Sequence, residues 1–353
     1  KLLLECIRIM NEFRDENSNL VHINYRSLDV EELGSVYEGL LELHPVIENI
    51  ETENPVQINF TFHEGTERKT TGSYYTRPEL VNELIKSALI PVIEERLKEQ
   101  SGSREAQVNV LLNLKVCDAA AGSGHMILAA ARTIAWYLAR VETGEDNPAP
   151  SIYRQCLREV IQHCIYAVDY NPDAVELCKL ALWLEGHNSG KPLSFLDHKI
   201  RTGNSIVGVT DLSVLKKGIP VEAFNPATGD DKQVCKWYKK LAREENKTQY
   251  QIQIDFDMPA ETPIETRAFA GEYRELENLP ENSVDQTIEK AKRFHKIRSN
   301  VKWFNDWNAC NIWTAAYFHH YIQVDDPSAP TSARLKTYLK TPTGIDGRVV
   351  GSA

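Results

Sequence analysis

The sequence predicts an α/β protein: a mainly parallel sheet over residues 67 to 210, a helical region over 1 to 66, and a mainly helical stretch over 211 to 353. Two observations carry this. Between 67 and 210, short apolar runs alternate with long stretches at helical spacing, as β-α units do. After 210 Pro, Asp, Lys and Glu become dense, and apolar spacing weakens until a helical stretch at 282 to 302 and an aromatic one at 303 to 321. A length of 353 residues, at roughly 150 per domain, asks for between two and three units.

Composition sets the outer bounds. Hydrophobic residues at 42%, charged residues at 25%, 18 Gly and 16 Pro exclude collagen-like, low-complexity and wholly disordered chains. The seven Cys are odd in number, scattered and never in a C-x-x-C pair, which argues against a disulfide framework or a zinc ribbon. A reducing cytoplasm fits them, and no metal site is expected. The best apolar run, Met126 to Val141, is interrupted by Arg132 and Arg140 and falls short of the ~20 residues of a membrane span. Lys1 to Glu5 bring an acid too early for a signal peptide and lack an initiating Met, so a fragment is expected. Forty Lys plus Arg against fifty Asp plus Glu give −10, which points away from phosphate binding by the chain as a whole but permits a local basic face.

The elements follow in order. Glu31 to Leu43 places Leu33, Val36, Tyr37, Leu40 and Leu41 on one side at helical spacing, as a packing helix does. Gln57 to Phe62 alternates like a strand. Thr70-Thr-Gly-Ser-Tyr-Tyr-Thr-Arg-Pro-Glu79 precedes a helix to Leu97, and Thr76 with Glu79 has the spacing of a capping box. That spacing leaves Tyr74 and Tyr75 unexplained. Paired aromatics in a Gly-containing loop suit either the cover of a bound adenosyl group or a turn packed on the sheet.

Leu114 to Asp118 reads as a strand, Ala119-Ala-Ala-Gly-Ser-Gly124 as a small-residue loop, and His125 to Val141 as a helix. Gly122 and Gly124 would let the backbone approach a ligand, and the helix start offers N–H groups and a positive dipole end. A plain tight turn would use the same residues. A dinucleotide fingerprint needs a third Gly three residues on, where Ile127 stands. A nucleoside ligand without a pyrophosphate is therefore favoured, S-adenosylmethionine being the usual case.

Cys164 to Val168 is apolar and ends on Asp169, a carboxylate at a strand tip where two ribose hydroxyls would both donate, or else a plain surface acid. Asn171, Pro172 and Asp173 are an N-cap, a first-turn Pro and a dipole partner for a helix that Gly186 stops. Asp169 follows Gly124 by 45 residues, against the ~20 of the usual unit, and Glu142 to His163 reads as an insertion with an added helix. Lys199 to Gly208 is a short strand ending in Gly203-Asn-Ser205, where Asn204 suits an adenine edge or an ordinary turn. Six Lys and Arg, 290, 292, 293, 296, 298 and 302, fall within thirteen residues beside Phe294 and Trp303; a solvated helical face is the default and DNA phosphate contact the alternative.

Together these motifs resemble the large DNA adenine methyltransferases of restriction-modification and phage-defence systems, including fused restriction-methylation enzymes and BREX-type methylases. The likeness runs from Glu32 to Gly208. Glu32 to Leu41 is similar to the family's helix before the catalytic domain, and Thr71 to Pro78 to its cofactor-tail motif, with Arg77 inserted. Asp118 to Gly124 is similar to its glycine loop with Ala119 in place of Pro, Asp169 to Pro172 to its ribose-binding tip, and Gly203 to Ser205 to its adenine-side turn.

The resemblance implies a Rossmann-like sheet that binds S-adenosylmethionine through Thr71, Gly72, Tyr74, Tyr75, Thr76, Asp118, Ala120, Gly122, Gly124, Asp169, Tyr170, Asn204 and Ser205. It implies methyl transfer to the exocyclic amino group of adenine in double-stranded DNA, read by regions mostly outside this chain, with other defence-system subunits as further partners. The family's chemistry uses Asn or Asp followed by Pro-Pro and an aromatic, whose acceptors polarise the amino group of a flipped base. No Pro-Pro occurs here, and the nearest lookalike, Asn225-Pro226-Ala227-Thr228, lacks the second Pro and the aromatic. Truncation before that motif is the expectation, so no catalytic residue is assigned. A non-catalytic scaffold in a defence complex, and an RNA or protein methyltransferase, are the competing readings.

Overall fold

The computed structural model describes residues 4, 8, 11–15, 17–22, 43–50, 57–64, 76–100, 102–255 and 266–340. The chain divides into two compact units, Lys1–Gly203 and Asn204–Ala353.

The first unit opens with two antiparallel pairs, β1 (Glu12–Arg14) with β2 (Leu20–His22) and β3 (Leu43–Ile50) with β4 (Gln57–Glu64). The alternating run read at 57 to 62 lies in β4. The expected helix at 31 to 43 falls outside the described residues except for Leu43, which begins β3.

Helix α1 spans Pro78–Leu84 and continues through a π turn, Ile85–Leu89, into α2, Ile90–Glu99. Pro91 has no N–H for the carbonyl four residues back, which accounts for the altered ladder just before it. The capping box read at Thr76 and Glu79 does not form. Pro78 occupies the first helical position and holds Arg77 extended, at φ −59° and ψ 139°, so Arg77 becomes the N-cap and no side chain bonds there.

Helix α3 (Arg104–Leu112) starts on the Ser103 hydroxyl, which accepts from the Ala106 N–H. Strand β5 (Val116–Asp118), helices α4 (His125–Thr143) and α5 (Pro150–His163), strand β6 (Ile165–Asp169), helix α6 (Pro172–Glu185) and strand β7 (Ile200–Thr202) complete the unit. The three strands make a parallel sheet in the order β5-β6-β7. The chain is thus mixed α/β, with a small parallel sheet and mostly helical content.

Burial explains how the sheet is held. Along β6, Ile165, Ala167 and Asp169 are buried while Tyr166 and Val168 are half-buried. The buried side meets the apolar stripe of α4, where Leu128, Ala131, Ile134, Ala135 and Leu138 are almost wholly out of water. On the other side Cys117 is exposed, and Lys115 and Lys199 place their ammonium groups 5.7 and 4.7 Å from the Tyr166 ring centroid. Gly144, at φ +72°, closes the last turn of α4. Helix α6 begins as the sequence suggests, on Asn171, whose side chain accepts from the Asp173 N–H, and ends on Gly186.

The second unit is helical: α7 (Ser213–Lys216), a 3₁₀ turn at Val221–Phe224, α8 (Lys232–Asp255), α9 (Thr266–Glu277), α10 (Val284–Arg298), α11 (Val301–Ala315) and α12 (Ser332–Lys340). Its core is built on Phe224, Tyr238 and Tyr321, with ring centroids 4.9 to 5.8 Å apart. The helical stretch read at 282 to 302 ends at Ser299 and restarts at Asn300, whose side chain accepts from the Lys302 N–H. Lys290, read with the basic face, is buried and bonded to Glu281 at 2.6 Å. Among the described residues no helix is long and apolar enough to cross a membrane.

Candidate functional site

Two of the motifs read from the sequence meet at the C-terminal end of the parallel sheet, where ligands of open α/β sheets bind. The loop after β5 is fastened to the tip of β6 by two bonds. The Ala121 N–H donates to the Val168 carbonyl at 3.0 Å, and the Gly122 N–H donates to Asp169 Oδ2 at 2.7 Å. The other carboxylate oxygen, Oδ1, accepts from the Asn171 N–H at 2.8 Å. Asp169 is therefore a buried carboxylate held by two backbone donors from neighbouring elements. It also supports β7, since its carbonyl accepts from the Gly203 N–H at 2.9 Å.

The two loop glycines differ in purpose. Gly122, at φ +54°, would point a β-carbon into open space, with no atom within 4 Å. Gly124, at φ +92°, would bring one to 2.7 Å from Cys178 Sγ on α6. The first keeps a surface clear; the second lets α4 start against α6. Of the two glycines expected to admit a ligand, Gly122 has open space beside it, whereas Gly124 is accounted for by its packing on Cys178. No side chain caps the start of α4.

Asp118 bonds locally, accepting the Ala120 N–H at 3.0 Å, and Ala120 itself is exposed. Tyr170 is 64% exposed beside Asp169. The Thr76 carbonyl lies 3.0 Å from Nδ1 of His125, the first residue of α4. A carbonyl only accepts, so the bond requires the tautomer with a proton on Nδ1. His125 is buried and ties the segment before α1 to the glycine loop. Thr71, Gly72, Tyr74 and Tyr75 lie outside the described residues. Asn204 and Ser205 follow β7 after Gly203 and open the second unit, where both are exposed and Asn204 Oδ1 accepts the Ile206 N–H at 3.1 Å.

Sequence reading missed His125, Cys178 and the Asn171 N–H. A His at the first position of an otherwise apolar, Ala-rich helix was a readable signal; a Cys on the following helix was not. The Asn225-Pro226 lookalike sits in an exposed turn of the second unit, closed by the Ala227 N–H on Asp230 Oδ2 at 2.8 Å. Among the described residues the second unit has no strand whose tip could present an acceptor.

No family model matches the chain, and no solved structure matches it. One curated relative, from Methanocaldococcus jannaschii, is named "Putative type II restriction enzyme and methyltransferase". It is 27% identical over 186 residues, an alignment that covers 41% of this chain and 15% of the relative. The match thus spans about 15% of the relative's length.

Proposed function

We propose that this chain is the cofactor-binding part of a DNA methyltransferase of restriction-modification type, adenine-specific, that uses S-adenosylmethionine. The observation that carries the reading is the Asp169 carboxylate, held at a strand tip by Gly122 and Asn171. Each carboxylate oxygen has two acceptor positions and spends one on a backbone N–H. The remaining positions suit the two hydroxyls of a ribose, which would bond a carboxylate whose aim is already fixed. The clear space at Gly122 and the uncapped start of α4 suit the methionyl part, whose carboxylate would gain from the helix dipole. The exposure of Tyr170 next to Asp169 supports a contact of its ring with the cofactor. The name of the M. jannaschii relative supports the reading at the level of a restriction-modification methyltransferase.

The cofactor, when bound, supplies an electrophilic methyl on a sulfonium. The acceptors that would polarise the adenine amino group are not assigned to this chain, because the sequence contains no Pro-Pro motif. Binding without transfer is therefore expected of it alone, with double-stranded DNA and other defence-system subunits as partners of the whole protein. Titration calorimetry with S-adenosylmethionine tests the reading. The parent should give saturable heat, and Asp169→Ala, losing two charge-assisted hydrogen bonds of about 1.5–3 kcal/mol each, should bind at least ~10-fold more weakly. No heat from the parent, or equal affinity in Asp169→Ala, would overturn it.

A further inference from the structure

A second feature lies in the helical unit and shares no residue with the Asp169 site. Where α10 ends and α11 begins, a groove of about 500 Å³ opens, lined among others by His295, Lys296, Arg298, Trp303, Phe304 and Trp307. That volume falls within the range of small-ligand sites. Trp303 and Trp307 stand one helical turn apart and lie nearly parallel, 13° between planes and 6.2 Å between centroids, with Phe304 6.0 Å from Trp307. Phe304 and Trp307 keep 50% and 46% of their surface in water. The Arg298 guanidinium lies 4.1 Å from the Trp303 ring centroid and steadies that indole from one side.

Charge decides the occupant. From 292 to 307 there are five Lys and Arg against one acid, Asp306, in a chain whose net charge is −10. His295 and Lys296 are exposed on the rim. Arg293 is paired with Glu275 and Arg298 lies on Trp303, but an apolar protein partner would use the rings and leave the exposed Lys296 on the rim without a counter-charge. A closed duplex would use the cations but hide its base faces in the stack. An unpaired nucleic-acid strand uses both, laying bases on exposed aromatic faces while its phosphates meet the cations.

We infer that the α10–α11 groove is a binding site for a single-stranded segment of nucleic acid, with bases on Trp307 and Phe304 and phosphate at Lys296. The inference deepens the reading above and rests on it only in taking DNA as the nucleic acid.

Fluorescence anisotropy of an end-labelled single strand, and of the duplex of the same sequence, tests it across a salt series. The parent should bind the single strand more tightly than the duplex. Trp307→Ala should weaken single-strand binding by ~5-fold or more with the salt slope unchanged. Lys296→Glu, on an exposed side chain that the fold does not need, should weaken it and lower the slope by about 0.7. The inference is overturned if the parent ignores the single strand, prefers the duplex, or loses nothing in either variant. It is also overturned if the parent self-associates and Trp307→Ala abolishes that, which would make the groove a protein interface. Cofactor calorimetry on the same parent preparation is scored separately: strand binding without cofactor heat defeats the cofactor reading alone, and heat without strand binding defeats this one alone.

Discussion

A methyl group added at Gly124 would meet Cys178 Sγ at 2.7 Å and hold a left-handed backbone that L residues resist. One added at Gly122 would face only the second cost, of about 1–2 kcal/mol. Gly124→Ala should therefore lower stability by ~2–4 kcal/mol in urea denaturation, with Cys178→Ala returning part of the loss. Gly122→Ala should cost only the backbone share while weakening cofactor binding. Equal losses in the two variants would refute the division of labour between them. The same contrast shows where single-sequence reading stops. Strand, glycine turn, helix and carboxylate follow from local spacing, but Gly124's need is set by a side chain 54 positions later, which no local pattern carries. A related expectation concerns thiols. Burial pushes Cys164 and Cys178 up to about 12, so both should resist alkylation in the folded protein. Exposed Cys117, raised by lesser burial and by Asp118, should be labelled first among the described cysteines, and faster as pH climbs, by peptide mass mapping.

Elements were legible where their ends are chemically marked, as α6 is by Asn171 and Gly186, and less so where two signals compete. At α1 a capping box and a first-turn Pro are one residue apart, and the Pro prevails because its ring fixes φ whereas a cap only contributes a hydrogen bond. Between α10 and α11 the break at Ser299 and Asn300 has neither Gly nor Pro, so the apolar period passes over it. The turn from α11 to α12 holds a testable acid response. His319 is half-buried with Nε2 3.4 Å from Asp326 Oδ2, and partial burial outweighs that carboxylate to lower its pKa. Burial raises the Asp326 carboxyl, but the Ser328 N–H and hydroxyl and His319 together bring it below the usual range. Both groups bind protons more readily unfolded, so stability is present above their unfolded values and lost as pH falls, below about 6.5 for the His and about 4 for the Asp. Glu245, raised by burial against the Ala333 N–H and Lys336, acts in the opposite sense over the acid range. The readout is thus a difference: His319→Gln should flatten the stability profile between pH 7 and about 5 relative to the parent. Parallel profiles would remove His319 from the account.

Among the described residues two hydrophobic clusters form, one around α4 and one around Tyr238 and Tyr321, and they have no buried side chain in common. The sequence conveyed the contrast between a β-α region and a mainly helical one, because hydrophobic period is a property of the local chain. The three strands of the sheet were read at their places, but the ends of β5 and β7 were not, since a three-residue strand is shorter than any window in which alternation can be counted. Separate cores predict separable responses to damage. Leu138, with 0% of its surface exposed on α4, should cost about 2–5 kcal/mol on truncation to Ala, through lost transfer energy and the cavity left behind. At ~2–4 °C per kcal/mol for a unit of this size, the unfolding of residues 1 to 203 should come several degrees earlier. Tryptophans report the two units independently, Trp136 and Trp183 in the first and Trp237, Trp303, Trp307 and Trp313 in the second. In a variant keeping only Trp183, Leu138→Ala should move the fluorescence transition down; in one keeping only Trp313, it should leave the transition where it was. If both probes shift together, the cores melt as one cooperative body, and each unit's stability then depends on packing in the other.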